Sequence, residues 1–169
     1  MPDSNEIFMS WLRDAHAMEQ QAEQVLSALA RRIENYPELK AQIERHLEVT
    51  RRQEERVRGC IERRKGAPST IKTTMAKMLG VAQGLSGLFV GDEVVKGMLA
   101  TYTFEHMEIA SYKILIAAAE KLGDNETKRV LEEIVREEEA MAKWLEDHFK
   151  PITVQYLRRE DTPQATAKH

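Results

Sequence analysis

Two apolar stripes of helical period meet at Tyr36-Pro37 with almost no chain between them, and that junction restricts this sequence more than any other feature. Before it, Leu12, Ala15, Glu19, Ala22, Val25, Leu26, Leu29 and Ile33 recur at three- and four-residue steps, which predicts a helix from about Ser4 to Asn35. After it, Leu39, Ile43, His46, Thr50, Gln53, Val57 and Ile61 predict a second helix from about Pro37 to Lys65. A proline disfavours helical geometry in the residue before it and suits the first turn of the helix after it. Two long helices joined by so short a link must fold back on one another as an antiparallel hairpin.

A second pair follows. Gly66-Ala67-Pro68-Ser69 stops the second helix, and Ser69 is a suitable N-cap for a short helix over about Thr70 to Gln83. The glycine-punctuated stretch from Gly80 to Gly91 then reads as a crossover. Val94, Val95, Met98, Tyr102, Ile109, Tyr112 and Ile116 mark a helix from about Asp92 to Leu122. Gly123 suits the position just past its end, and Asp124 or Asn125 can cap the next helix. That last helix is expected over Glu126 to Lys150, with Pro151 ending it and a frayed polar tail beyond Arg158. The expected fold is all-α: a ferritin-like four-helix bundle, with a short extra helix in the crossover between two long hairpins. Residues 1–150 form the bundle in this reading, and residues 151–169 a C-terminal tail.

The 169 residues suit a single domain with a substantial core. A formal net charge of −3 argues against general affinity for nucleic acid or anionic membranes. The basic run Arg51-Arg52, Arg56, Arg58 and Arg63-Arg64-Lys65 is interleaved with Glu44, Glu48, Glu54, Glu55 and Glu62, and reads as a solvated, salt-bridged face. A lone cysteine, Cys60, allows no intramolecular disulfide and suits a reducing compartment. The polar start lacks the pattern of a signal peptide, and no stretch approaches the roughly 18 apolar residues of a membrane span. A cytoplasmic location is expected. Walker, Rossmann and nucleophile-elbow motifs are absent from the sequence.

Glutamates stand where apolar residues belong. Glu138 shares a face with Leu131, Ile134, Val135, Met141, Leu145 and Phe149, and Glu19 interrupts the first stripe. Glu105 and Glu108 lie at i, i+3, with Tyr112 a turn further on, while the second helix offers His46 and, two turns on, Gln53. A buried, unpaired carboxylate shifts its pKa, finds a partner or coordinates a cation. Facing carboxylates are how ferritin-like bundles hold metal ions. Candidate metal ligands are therefore Glu19, His46, Glu105, Glu108 and Glu138, and several oxygen donors with an imidazole suit iron or manganese. His16 and His106 are expected beside or outside this group. The competing reading is a metal-free structural or interaction protein, in which the glutamates are protonated or paired with Arg, His and Tyr.

Three segments resemble the bacterial YciE/YciF stress-protein family: residues 11–20 (WLRDAHAMEQ), residues 104–112 (FEHMEIASY), and His46-Leu47-Glu48-Val49-Thr50 followed by Gln53. The similarity covers nearly the whole helical portion. It implies a ferritin-like bundle, a dimer and an association with bacterial stress responses, without an established enzymatic activity. Val49 stands where the family motif has a second acidic residue, and Ala142 where many members have an acid one turn after the glutamate of the last helix. A site built here has fewer oxygen donors than a dinuclear centre uses. Apolar residues left over at Phe8, Trp11, Leu85, Leu88 and Phe89 add to the expectation of a homodimer.

Overall fold

A computed structural model describes residues 3–65 and 93–162. They form four helices: α1 (Ser4–Arg32), α2 (Pro37–Lys65), α3 (Glu93–Lys121) and α4 (Asn125–Glu160). The short helix expected at Thr70–Gln83 and the crossover at Gly80–Gly91 lie outside the described residues.

Helix ends follow local chemistry. Asp3 caps α1 by accepting from the Glu6 amide, and the Glu6 carboxylate accepts from the Asp3 amide in return, a reciprocal capping box. α1 stops at Arg32, three residues before the expected end, because Ile33 turns extended (φ −77, ψ 116) while burying its side chain. Gly123 takes a positive φ of 70 between α3 and α4, a conformation that only glycine adopts without strain. Asp124 then caps α4 by accepting from the Thr127 amide at 3.0 Å.

Pro151 does not end α4. The helix continues through it to Glu160, so the expected stop at Lys150 is corrected. An interior proline costs on the order of 3 kcal/mol. Here the turns beyond it bury Ile152 and pack Tyr156 into a cluster with Ile33, Tyr36 and Leu39, and Gln155 donates to the Asn35 carbonyl at 3.2 Å. The extension thus covers the α1–α2 link, and apolar burial there offsets the lost backbone hydrogen bond.

Side-chain pairs establish the topology. α1 runs antiparallel to α2 (Asn5 with Arg64, Glu23 with Arg51) and to α3 (Glu19 with Tyr112, Leu29 with Gly97). α4 runs antiparallel to α3 (Lys113 with Glu139, Tyr102 with Phe149) and to α2 (Arg63 with Glu126, Glu38 with His148). α2 and α3 are therefore parallel, so the end of α2 and the start of α3 lie at opposite ends of the bundle. Two hairpins related in this way are the ferritin-like arrangement.

Most arginines of the α2 run reach across to other helices rather than only along their own. Arg56 pairs with Glu133 and Glu137, Arg63 with Glu126, and Arg64 with Asp124 at 2.5 Å. The Arg64 guanidinium also lies over the Phe8 ring, 4.7 Å from its centroid. Phe8 is 1% exposed, so it belongs to this chain's own core and not to a leftover surface. Leu85, Leu88 and Phe89 lie outside the described residues. No described helix is long and apolar enough to cross a membrane.

Candidate metal centre

The inward stripe of α2 is buried throughout, from Leu39 to Ile61, and so it carries His46 and Gln53 into the interior. Glu19 on α1, Glu105 and Glu108 on α3, and Glu138 on α4 are each no more than 2% exposed. All five residues singled out in the sequence are thus interior, on four different helices.

They do not form one uniform cluster. His46 Nε2 lies 3.1 Å from Glu105 Oε2 and 3.3 Å from Glu138 Oε2, and donor atoms of these three residues fall within 4.8 Å of one another. Glu19 and Glu108 stand outside that set of three. They act on each other and on Glu138 and Glu105 electrostatically, and Tyr112, fully buried, donates a hydrogen bond to Glu19 Oε1. Gln53 Nε2 donates to Glu138 Oε1, a contact that the sequence reading did not anticipate although Gln53 lay on the right stripe.

Burial dominates the protonation of the group. It pushes Glu19 and Glu108 well above the usual carboxylate range, helped for Glu19 by the charges of Glu138 and Glu105 and for Glu108 by those of Glu19, Glu138 and Glu105. Burial also lifts Glu105 to about 8, against the opposing pull of His46. For His46, burial disfavours the charge, but Glu105 and Glu138 outweigh it and raise the imidazole to about 10. Glu138 is the exception. Burial opposes its charge too, yet the close His46 and Glu105 side chains and the hydrogen bond from Gln53 bring it below the usual value.

Several oxygens are nevertheless left over. Glu19 Oε2, Glu105 Oε2, Glu108 Oε1 and Glu138 Oε2 are buried and receive no aligned hydrogen bond from any described residue. A single imidazole N–H cannot point at both carboxylates beside it. An unsatisfied buried acceptor costs on the order of 1–3 kcal/mol. Metal–nitrogen and metal–oxygen bonds of about 2.1 Å put neighbouring donors of a six-coordinate ion about 3 Å apart. The spacings around His46 fit that value. Two carboxylates and an imidazole also fit the charge and hardness of a divalent iron or manganese ion.

His16 and His106 sit elsewhere. His16 is buried and pairs with Glu54 at 2.6 Å, while His106 is exposed and meets Tyr102 edge-on at 4.4 Å. Tyr102 packs against Phe149 as well. The Cys60 thiol is buried near Arg63 and Thr127, and burial pushes its pKa up. Ala142, one turn after Glu138, is buried in the core, whereas Val49 on α2 is half-buried.

Residues 3–158 match the family model described as a domain of unknown function, DUF892. Protein YciF of Escherichia coli K12 is 30% identical over 151 residues, covering 83% of this chain and 86% of that protein. This chain belongs to the YciE/YciF stress-protein family. Solved structures agree with the membership. A protein from Xanthomonas campestris pv. campestris is 40% identical with a TM-score of 0.79, covering 95% of this chain and 100% of the other. The crystal structure of the Escherichia coli stress protein YciF is 28% identical with a TM-score of 0.77, covering 87% and 94%. YciE/YciF proteins are thus the frame in which the buried His46, Glu105 and Glu138 are placed.

Proposed function

We propose that this protein is a ferritin-like stress-associated protein that holds a divalent cation, Fe(II) or Mn(II), at His46, Glu105 and Glu138. Glu19 and Glu108 supply further carboxylates from the α1–α3 side. The observation that carries this reading is the set of four buried carboxylate oxygens without an aligned donor, two of them within 3.3 Å of His46 Nε2. When bound, the ion supplies Lewis-acid or one-electron chemistry, and the chain's own residues orient the ligands and exclude water.

A metal-free reading has one observation in its favour. His46 held charged beside an ionised Glu138 is an ion pair that partly neutralises the interior by itself. In that case the protein acts through its surface. Trp11 (42% exposed) and Ile114 (58% exposed) flank a groove of about 340 Å³ between α1 and α3, a surface suited to a second copy of the chain.

Thermal melts and elemental analysis of protein purified without a metal-affinity step separate the two. A ligand that binds only the folded state raises the melting temperature. The wild type is expected to retain about one metal ion per chain and to melt higher with millimolar Mn(II). Glu138→Ala removes the donor that α4 contributes and is expected to show neither effect. A wild type indifferent to both metals, with Glu138→Ala as stable as its parent, overturns the metal reading.

A further inference from the structure

Gln53 is fully buried on α2, two turns beyond His46 on the same face, and its amide nitrogen is committed twice. Nε2 donates to Glu138 Oε1 and, at 3.0 Å, to Glu137 Oε2. The amide orientation is fixed by chemistry, because the reversed amide would turn its oxygen toward two carboxylates. Gln53 Oε1 is buried and receives no aligned hydrogen bond from a described residue. The cost of that oxygen offsets part of what the two hydrogen bonds to carboxylates contribute. What the amide does accomplish is to join Glu137 and Glu138, neighbours on α4 that a helix splays apart. Glu137 is gripped from the outer side by Arg56, three residues beyond Gln53 on α2. A continuous array, Arg56–Glu137–Gln53–Glu138–His46, runs from a partly exposed arginine to the buried histidine.

We infer that Gln53 is the positioning residue for Glu138: it occupies Oε1, leaving Oε2 alone to face His46 and Glu105, so that Glu138 offers one oxygen to one cation and does not bridge two. This rests on the metal reading proposed above. Glu137 and Arg56 hold Gln53 in turn, as hydrogen-bonded outer partners do for many metal ligands, whose loss costs 10–100-fold in affinity by order of magnitude.

The test is Mn(II) titration of the full chain, followed by calorimetry and by the paramagnetic resonance signal of the free ion. Gln53→Met keeps the length of the side chain and deletes the donor. Val57→Ala, a core change on the same stripe of α2, leaves the hydrogen bond to Glu138 untouched and reports on destabilisation alone. The expected result is about one ion per wild-type chain, a loss of about 10–100-fold for Gln53→Met, and unchanged affinity for Val57→Ala. Equal affinity of wild type and Gln53→Met overturns the positioning role and leaves the metal site standing. Equal weakening of both variants also overturns it, since the effect is then one of packing. A wild type that binds no Mn(II) ends the metal reading, and the inference with it. Should Gln53→Met fail to fold, Glu137→Ala removes the partly exposed anchor instead. A smaller but measurable loss of affinity supports the inference, and none overturns it.

Discussion

Gly97 on α3 faces Leu29 on α1 so closely that a β-carbon at Gly97 would stand 2.9 Å from Leu29 Cδ1. The two helices meet there through a backbone surface, near the end of the bundle opposite the Asp124 cap. A larger residue forces Leu29, itself 4% exposed, to move within a filled core. Gly97→Leu is expected to lower stability by about 1–3 kcal/mol. In a double-mutant cycle read by urea denaturation, Leu29→Ala should relieve part of that loss. Additive effects would show that the approach is not what fixes glycine at this position.

Pro151 supplies a change in the other direction. It is exposed, inside a helix that continues for nine more residues to Glu160, and it leaves the ladder one donor short. Pro151→Ala should raise stability, by up to about 3 kcal/mol if α4 remains straight through the site. The gain is expected to appear as slower hydrogen exchange from Ile152 to Leu157. A neutral or destabilising outcome would mean that a proline-induced bend is what seats Ile152.

The interior carboxylates make stability depend on pH with a defined sign. Glu105, raised to about 8, and His46, raised to about 10, bind protons more tightly folded than unfolded, and Glu19 and Glu108 shift in the same direction. Groups raised in this way contribute stability that is complete below their unfolded pKa and is lost as pH rises through the folded one. Glu138, lowered, contributes the opposite dependence, confined to acid. Metal-free protein should therefore lose stability steadily between about pH 5 and pH 10. Metal affinity should rise over the same range, because binding displaces these protons. Urea midpoints in chelator at about pH 5.5 and 8.5 check the first statement. A higher midpoint at the alkaline value would contradict it.

Assembly is testable at the Trp11 groove. If a second copy covers it, Trp11→Lys should shift the sedimentation mass from dimer to monomer at tens of micromolar and leave the helical content unchanged. A wild type that sediments as a monomer rejects the dimer. A dimer indifferent to Trp11→Lys places the interface elsewhere.

Periodicity alone determined much of this. The stripe from Leu39 to Ile61 is buried at each position named in it, and α2 begins at Pro37 because proline fits a first turn and blocks the residue before it. Interior placement of Glu19, His46, Glu105, Glu108 and Glu138 was legible for the same reason: a residue on an apolar face goes where that face goes. Depth along the axis and rotation between helices are not carried by a repeat within one helix. Only the tertiary structure separated His46, Glu105 and Glu138, whose donor atoms gather within 4.8 Å, from Glu19, which accepts from Tyr112, and Glu108, which lies in the field of Glu19. It also decided that Gln53 meets Glu138, and that α4 outlasts Pro151. Burial of Ile152 and Tyr156 against a link more than a hundred residues away offsets a local preference that the sequence states correctly.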